Sequence, residues 1–140
     1  MSGETYEVPE GYFYTKDHEW VKRSSEKIIL IGITDYAAKM LHDIVYVTLP
    51  DSGARLLAKQ VLGQVESVKT VSDIYMPISG TVLKTNDRLM REPEIVSDSP
   101  YSEGWMVELE ANDYDEEVKG LLTPDSYRKY IQDLISEESH

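Results

Sequence analysis

The fold is decided by the stretch Gly63-Gln-Val-Glu-Ser-Val-Lys-Thr-Val-Ser-Asp-Ile-Tyr-Met-Pro-Ile-Ser-Gly80. Its apolar residues are mainly β-branched or aromatic and lie on both sides of one lysine, Lys69, which favours two antiparallel strands of a hairpin. The residues around Lys69 contain no Asn-Gly or Asp-Gly pair, so a type I turn fits them better than a primed turn. We therefore expect a stiff hairpin that presents one amine to solvent.

Two interpretations of Lys69 follow from these residues alone. A lysine at the tip of a hairpin usually adds only charge and solubility to the surface. The same rigid and exposed placement would also suit an amine that is modified covalently. Composition and spacing do not distinguish between the two.

Short apolar runs separated by turn residues predict further strands in the rest of the chain. These strands are expected over residues 11–15, 18–22, 27–33, 44–49, 81–84 and 104–109. A short helix is expected after the third of them, because Thr34 is a suitable N-cap and Asp35 suits the first turn. Residues 85–100 contain several turn formers and are expected to form an extended loop. Trp20 is expected to anchor the core.

The C-terminal segment has the clearest helical pattern in the chain. Thr123 is a suitable N-cap, Pro124 suits the first helical position, and apolar side chains follow on one face. The sequence predicts a helix over residues 121 to about 136, preceded by an acidic helical turn over residues 113–119. The short strands favour a mainly β fold, an antiparallel sandwich or flattened barrel, to which these helices are additions.

Length and composition are those of a single domain over residues 1–140, with residues 1–10 as a loose polar lead-in. The chain has no cysteine, which excludes disulfides, thiolate metal sites and a cysteine nucleophile. The three histidines are not spaced as a metal-ligand set. Neither a glycine-rich phosphate loop nor a catalytic constellation stands out. We therefore expect no metal site.

The net charge of −12 bears on partners and location. An acidic surface is repelled by nucleic acid and by anionic lipid, and no apolar run is long enough to span a bilayer. The charge suits docking onto basic patches of larger proteins, and it also suits plain solubility. The N-terminal residues match neither a secretory signal nor a transit peptide. We expect a monomer in a bacterial or archaeal cytoplasm.

Five blocks of the sequence resemble, in order, the H protein of the glycine cleavage system. They are Tyr14-Thr-Lys-Asp-His-Glu-Trp-Val21, Gly32-Ile-Thr-Asp-Tyr-Ala37, Asp43-Ile-Val-Tyr-Val47 with Leu49-Pro50, Glu66-Ser-Val-Lys-Thr-Val-Ser-Asp73 with Pro77 and Gly80, and Ser99-Pro-Tyr101 with Gly104-Trp105. The spacing from the lysine to the following glycine is shared with the lipoyl domains of 2-oxoacid dehydrogenases. The resemblance covers nearly the whole chain and implies the lipoyl/biotinyl-type barrel-sandwich hybrid fold.

This resemblance implies that Lys69 carries lipoic acid in amide linkage and that the protein is a carrier and not an enzyme. In the family, a pyridoxal-phosphate glycine decarboxylase loads an aminomethyl group onto the lipoyl arm. A tetrahydrofolate-dependent aminomethyltransferase then takes the one-carbon unit, and dihydrolipoamide dehydrogenase reoxidises the dithiol. A lipoate ligase or lipoyl transferase attaches the cofactor, so these four enzymes are the expected partners.

The resemblance also implies residues that assist the arm. Glu19 and Asp73 match family positions beside a cleft that shelters the loaded arm, and Asp17 and Tyr36 stand at cleft positions where other residues are more common. A carboxylate there would hold the cargo amine by a charge-assisted hydrogen bond. The alternative is that Glu19 and Asp73 are ordinary surface acids. The candidates for recognition by the ligase are Glu66, Asp73 and Gly80.

Three residues depart from the family pattern: Tyr36 where histidine is frequent, His42 where glycine is usual, and Glu92 where asparagine is usual. They motivate one alternative function, an H-like lipoyl-binding paralogue that serves a heterodisulfide-reductase-like sulfur-oxidation complex or relays lipoate to other acceptors. A biotin carrier is disfavoured, because biotinyl lysines are typically flanked by methionines and the flanking residues here are valine and threonine. A structural domain with an unmodified lysine is a further alternative.

Overall fold

The computed structural model describes residues 5–138, whose strands form two antiparallel sheets. The larger sheet contains, from edge to edge, β1 (Phe13–Tyr14), β2 (Glu19–Arg23), β3 (Ile28–Ile33), β9 (Val107–Ala111), β8 (Gly80–Thr85) and β5 (Arg55–Leu56). The smaller sheet contains β4 (Ile44–Thr48), β6 (Val61–Ser67) and β7 (Val71–Tyr75). The mainly β fold predicted from the sequence is confirmed.

The described residues also contain five α-helices: α1 (Asp35–Leu41), α2 (Arg88–Arg91), α3 (Ile95–Asp98), α4 (Tyr114–Glu117) and α5 (Pro124–Glu138). The two predicted N-caps are confirmed, since Thr34 Oγ1 accepts from Ala37 N at 3.2 Å and Thr123 Oγ1 accepts from Ser126 N at 3.2 Å. The predicted acidic turn corresponds to α4 and a short 3-10 helix, Val118–Gly120.

The predicted hairpin is formed by β6 and β7, which pair in the register Gln64 with Asp73 and Glu66 with Val71. Its tip closes where Ser67 N donates to Thr70 O at 2.8 Å. None of residues 67–70 has a positive φ, so the turn is not a primed one, as the sequence predicted. The central stretch therefore brings Lys69 to the end of the smaller sheet.

The expectation of an extended loop over residues 85–100 is wrong, because α2 and α3 occupy most of it. Leu89 and Val96 are fully buried and fix these two short helices onto the core. Pro93 does not interrupt α3, because it lies two residues before Ile95, ahead of the first turn of the helix, where proline is tolerated. The last strand also differs, since β9 covers Val107–Ala111 and not residues 104–109, and β5 was not foreseen.

The core has two parts. One cluster of aliphatic side chains fills the space between the sheets and includes Ile31, Val47, Val65 and Leu109. The second cluster is largely aromatic and packs α5 against the N-terminal strands; its buried members are Val8, Tyr12, Tyr14, Trp20, Tyr36, Tyr127 and Ile131. Trp20 is the predicted anchor, and its Nε1 donates to Pro100 O at 3.0 Å.

The described part of the lead-in, residues 5–10, has no helix or strand but is packed. Val8 is buried, the Tyr6 ring lies 4.9 Å from that of Tyr36, and Glu7 N donates to Asp35 Oδ2 at 2.9 Å. The expectation of a loose lead-in is therefore not met there, because apolar side chains in an otherwise polar segment anchor it. Residues 1–4 lie outside the described residues.

Candidate functional site

Lys69 is exposed at the tip of the β6–β7 hairpin, and its backbone is held firmly. Ser67 Oγ accepts hydrogen bonds from Lys69 N and Thr70 N, each at 3.2 Å. Val68 N donates to Asp43 O at 3.1 Å, which ties the tip to the segment after α1. Among residues 5–137, no carboxylate pairs with the Lys69 amine. The geometry is thus a fixed main chain that carries a free, long side chain.

Apolar side chains surround this tip. Val68 and Val71 are 67% and 52% exposed, and Tyr46 and Val45 on the neighbouring strand are also exposed. Register places Tyr46, Glu66 and Val71 in one row across the outer face of the smaller sheet. A protein that acts on the Lys69 amine would therefore contact apolar as well as acidic groups.

A cleft of about 310 Å³ opens between the two sheets near the far end of β7. One wall comes from the connection between β1 and β2, and another from the end of β7. The remaining walls are the turn before β6 and the segment that leads into α5. The cleft is lined by Tyr14, Thr15, Lys16, Asp17, Glu19, Ala58, Lys59, Tyr75, Met76, Pro77, Glu117, Gly120, Leu121 and Leu122.

Glu19 is the most unusual group in this cleft, because its side chain carries a carboxyl but is only 1% exposed. Its Oε1 accepts from Thr15 Oγ1 at 2.6 Å, and its Oε2 accepts from Tyr75 N at 3.1 Å. Burial raises the pKa of Glu19 to about 7, although both hydrogen bonds oppose that rise. Near neutral pH this carboxyl therefore exists in charged and neutral forms.

The structure brings together only some of the residues predicted for the arm cleft. Asp17 and Glu19 line the same cleft. Asp73 lies on the exposed outer face of the smaller sheet, where its Oδ1 accepts from Gln64 Nε2 at 2.8 Å. Tyr36 is buried in the aromatic cluster, 4.8 Å from the His18 ring, and does not line the cleft. The proposed roles of these four residues stay predictions.

The residues predicted for ligase recognition also differ in placement. Glu66 is half-buried on the hairpin, and Asp73 is exposed four residues beyond Lys69. Gly80 is buried in β8, where a Cβ atom would collide with Glu110 O and the Leu109 side chain. A close approach of backbone to backbone accounts for glycine at this position. Its part in recognition stays a prediction.

His42, where the family usually has glycine, has a φ of 64° and a ψ of −133°. This region of backbone conformation is natural for glycine and unfavourable for other residues. The turn after α1 therefore holds a histidine in a backbone conformation that glycine adopts most readily. Its segment still supplies the Asp43 carbonyl that holds the hairpin tip.

Three contributors to the cleft were not identified from the sequence. Thr15 and the backbone amide of Tyr75 hold Glu19, and Lys59, whose φ is 80°, also lines the cleft. A backbone amide leaves no trace in side-chain patterns, so the Tyr75 contact could not be foreseen. Within residues 5–138 no group of metal-ligating side chains could hold an ion, and no helix has the length and apolar character needed to cross a bilayer.

Comparison with known proteins identifies the family. The sequence profile described as "Glycine cleavage H-protein" matches residues 12–134. The chain belongs to the glycine cleavage H-protein family. This assignment confirms the resemblance drawn from the five sequence blocks.

Individual relatives agree with the family. A probable glycine cleavage system H protein of Thermococcus gammatolerans is 45% identical over 129 residues, which cover 92% of this chain and 96% of the relative. The glycine cleavage system H protein of Mycobacterium sp. strain KMS is 45% identical over 127 residues, with coverages of 89% and 97%. The crystal structure of a glycine cleavage system H protein from Mycobacterium marinum superposes with a TM-score of 0.77 at 34% identity, covering 86% of this chain and 95% of that one.

Proposed function

We propose that this chain is the lipoyl carrier of a glycine cleavage system, with lipoic acid joined to Lys69 by an amide bond. The observation that carries the proposal is Lys69 itself, an exposed amine without an ion-pair partner in the described part of the chain, at the tip of a hairpin whose backbone is fixed by Ser67 and Asp43. Amide formation needs an amine that can enter the active site of another protein. A flexible side chain on a rigid turn meets that requirement.

The cofactor supplies the chemistry that the chain lacks. Lipoic acid brings a disulfide that accepts an aminomethyl group and two electrons, and this chain contains no cysteine that could do so. The chain's own contribution is to present the arm and to shelter its cargo. Its role is therefore that of a carrier and not of an enzyme.

Family membership supports the other components of the system as partners. The proposed donor is the pyridoxal-phosphate glycine decarboxylase, and the proposed acceptor is the tetrahydrofolate-dependent aminomethyltransferase. Dihydrolipoamide dehydrogenase would restore the disulfide, and a lipoate ligase or lipoyl transferase would install the arm. Each of them must take in the same side chain, so each would contact the exposed residues that surround Lys69.

The cleft beside β7 is the proposed resting place of the loaded arm. Glu19 is the group best placed to receive a positively charged amine, since its carboxylate has two hydrogen bonds but no cationic partner among the described residues. An amine inside the cleft would supply that partner and favour the charged form of Glu19. Asp17 at the rim would add a second negative charge.

The attachment site is tested by mass spectrometry of protein made with a competent ligase and lipoate. We expect a single lipoyl adduct on wild type and none on Lys69→Arg, because arginine keeps the charge but cannot form the amide. Lys84→Arg changes an exposed lysine on β8 and should carry the adduct like wild type.

The same samples decide the pathway. Lipoylated protein should support exchange between glycine and bicarbonate with the decarboxylase, and Lys69→Arg should not. An adduct that persists in Lys69→Arg would disprove the attachment site. An adduct on Lys69 without any exchange would disprove the glycine cleavage role and favour the lipoyl-binding paralogue.

A further inference from the structure

The side chain of Thr15 makes three hydrogen bonds whose directions can be assigned. Its Oγ1 accepts from Asp17 N at 3.2 Å and from Glu19 N at 3.1 Å. The same oxygen lies 2.6 Å from Glu19 Oε1. A threonine hydroxyl has two acceptor sites and one proton, so the two amides occupy the acceptor sites and the proton must point at Glu19.

The two oxygens of the Glu19 carboxyl are consequently each held by a group that can only donate a hydrogen bond to it. Thr15 donates to Oε1, and the backbone amide of Tyr75 donates to Oε2 at 3.1 Å. Thr15 and Glu19 belong to the larger sheet and its β1–β2 connection, whereas Tyr75 ends β7 of the smaller sheet. Two fixed donors favour the ionised carboxylate against the effect of burial and set its orientation toward the cleft.

We propose that Thr15 is a positioning residue, which favours the charged form of the Glu19 carboxyl and fixes its orientation in the cleft for the amine of the arm's cargo. This proposal rests on the proposed function, because the cargo amine exists only if the arm is loaded. The part that concerns Glu19 alone can be tested on the unmodified chain.

Other charged groups face Glu19 and must be kept constant in any test. Asp17 disfavours the charged form of Glu19, and Lys59 favours it. Lys16 also lines the cleft. Glu117 lines it too, but both of its oxygens accept hydrogen bonds from Ser79. Among the described residues none of these side chains makes a hydrogen bond or an ion pair with Glu19. Removing the Thr15 hydroxyl also takes away the acceptor of the Asp17 and Glu19 amides, so a variant that keeps the hydroxyl is needed for comparison.

The first experiment follows the titration of the Glu19 carboxyl by carbon-13 NMR in unmodified protein. Thr15→Val is nearly isosteric and removes the donor, so it should raise the Glu19 pKa, with about a tenfold increase in proton affinity. Thr15→Ser keeps the hydroxyl and should titrate like wild type. Thr85→Val removes a matched hydroxyl, which donates to Asp87 at 2.6 Å outside the cleft, and should leave Glu19 unchanged.

The second experiment measures how fast the aminomethyl group is lost from loaded protein across pH. Glu19→Ala gives the rate without any carboxylate, and Thr15→Val should approach that rate near neutral pH. At higher pH, where Glu19 is ionised even without the donor, Thr15→Val should move back toward wild type. Thr15→Ser should decay like wild type throughout.

Several results would overturn the proposal. One is an unchanged Glu19 titration in Thr15→Val, and another is an equal change in Thr15→Ser, which would show that the hydroxyl is not responsible. A shifted titration with wild-type decay would also overturn it. Failure to load the arm at all would contradict the proposed function, and the titration would still show whether Thr15 holds Glu19.

Discussion

At Glu19, burial and hydrogen bonding act in opposite directions on one carboxyl. Removal from water favours the neutral acid, and the donors Thr15 and Tyr75 favour the charged form. Burial prevails, since the pKa is raised from 4.5 to about 7. The folded protein therefore binds a proton at Glu19 over a pH range in which the unfolded chain does not.

This difference predicts a dependence of stability on pH. For an acid whose pKa is raised by folding, the stabilising contribution is complete below about 4.5 and is lost as pH rises through about 7. Glu19→Gln cannot ionise, so its free energy of unfolding should fall less than that of wild type between these limits. The difference between the two proteins should change by up to about 3 kcal/mol.

The measurement is urea unfolding of both proteins at several pH values from acid to slightly alkaline. Only the change in their difference is informative, because glutamine also presents an amide donor to Thr15 or Tyr75 and loses stability at every pH. Glu110→Gln replaces an exposed acid on β9 and serves as the control. A constant difference between wild type and Glu19→Gln would mean that Glu19 does not titrate in this range.

Residue patterns predicted the position of Lys69, and the resemblance to the family implied that Asp17 and Glu19 lie beside one cleft. The position of Lys69 could be predicted because a hairpin is a local structure, and the residues that form its tip are close together in the sequence. Tyr36 and Asp73 could not be placed in the same way. The packing of Tyr36 depends on Tyr6 and His18, and the side chain of Asp73 is directed by the register of two strands.

At the scale of elements, α5 is fastened to the body of the protein by a chain of three side chains. Tyr127 OH lies 2.7 Å from Thr34 Oγ1 and 2.8 Å from His18 Nδ1. Burial lowers the pKa of His18 to about 4, so its ring is neutral and can accept at Nδ1. The tautomer of the neutral ring sets the direction of this chain: the hydrogen bonds run from Thr34 through Tyr127 to His18 when Nδ1 has no proton, and in the reverse order when Nδ1 carries it.

Tyr127→Phe should loosen this helix. The substitution keeps the ring, whose centroid lies 4.7 Å from that of the stacked Tyr14 ring. It removes the hydroxyl that hydrogen-bonds to His18 and Thr34. We expect a loss of about 1–3 kcal/mol in the free energy of unfolding, together with faster amide hydrogen exchange along α5. Tyr130→Phe is the control, because its hydroxyl makes only a longer, exposed bond of 3.3 Å to Lys16 O. Equal effects of the two changes would rule out the fastening role.

The elements that the sequence predicted well are those with local signals. The caps at Thr34 and Thr123 and the hairpin strands were all found where expected. Residues 85–100 were misjudged because α2 and α3 are only four residues long each. Helices of one turn have little stability of their own, and burial of Leu89 and Val96 stabilises them. That burial depends on tertiary packing, whereas the turn-forming residues of the segment by themselves suggest a loop.

At the scale of the whole molecule, the net charge of −12 has two physical consequences. It improves solubility. It would also attract partners with basic surfaces, and the hairpin carries acids of its own at Glu66 and Asp73. Acidic residues near Lys69 should affect docking more strongly than acidic residues on distant surfaces. Salt screens the attraction between two exposed charges that are more than roughly 10 Å apart.

The reaction of lipoylated protein with the decarboxylase should therefore weaken as salt increases. Between about 0.01 and about 0.3 M salt, kcat/KM should fall several-fold while kcat changes little, since screening slows encounter more than chemistry. Glu66→Gln with Asp73→Asn should lower kcat/KM at low salt and reduce its salt dependence. Asp115→Asn, on the exposed acidic turn away from the hairpin, should leave both as in wild type. If kcat/KM does not change with salt, the negative charge serves solubility alone and docking relies on the apolar residues around Lys69.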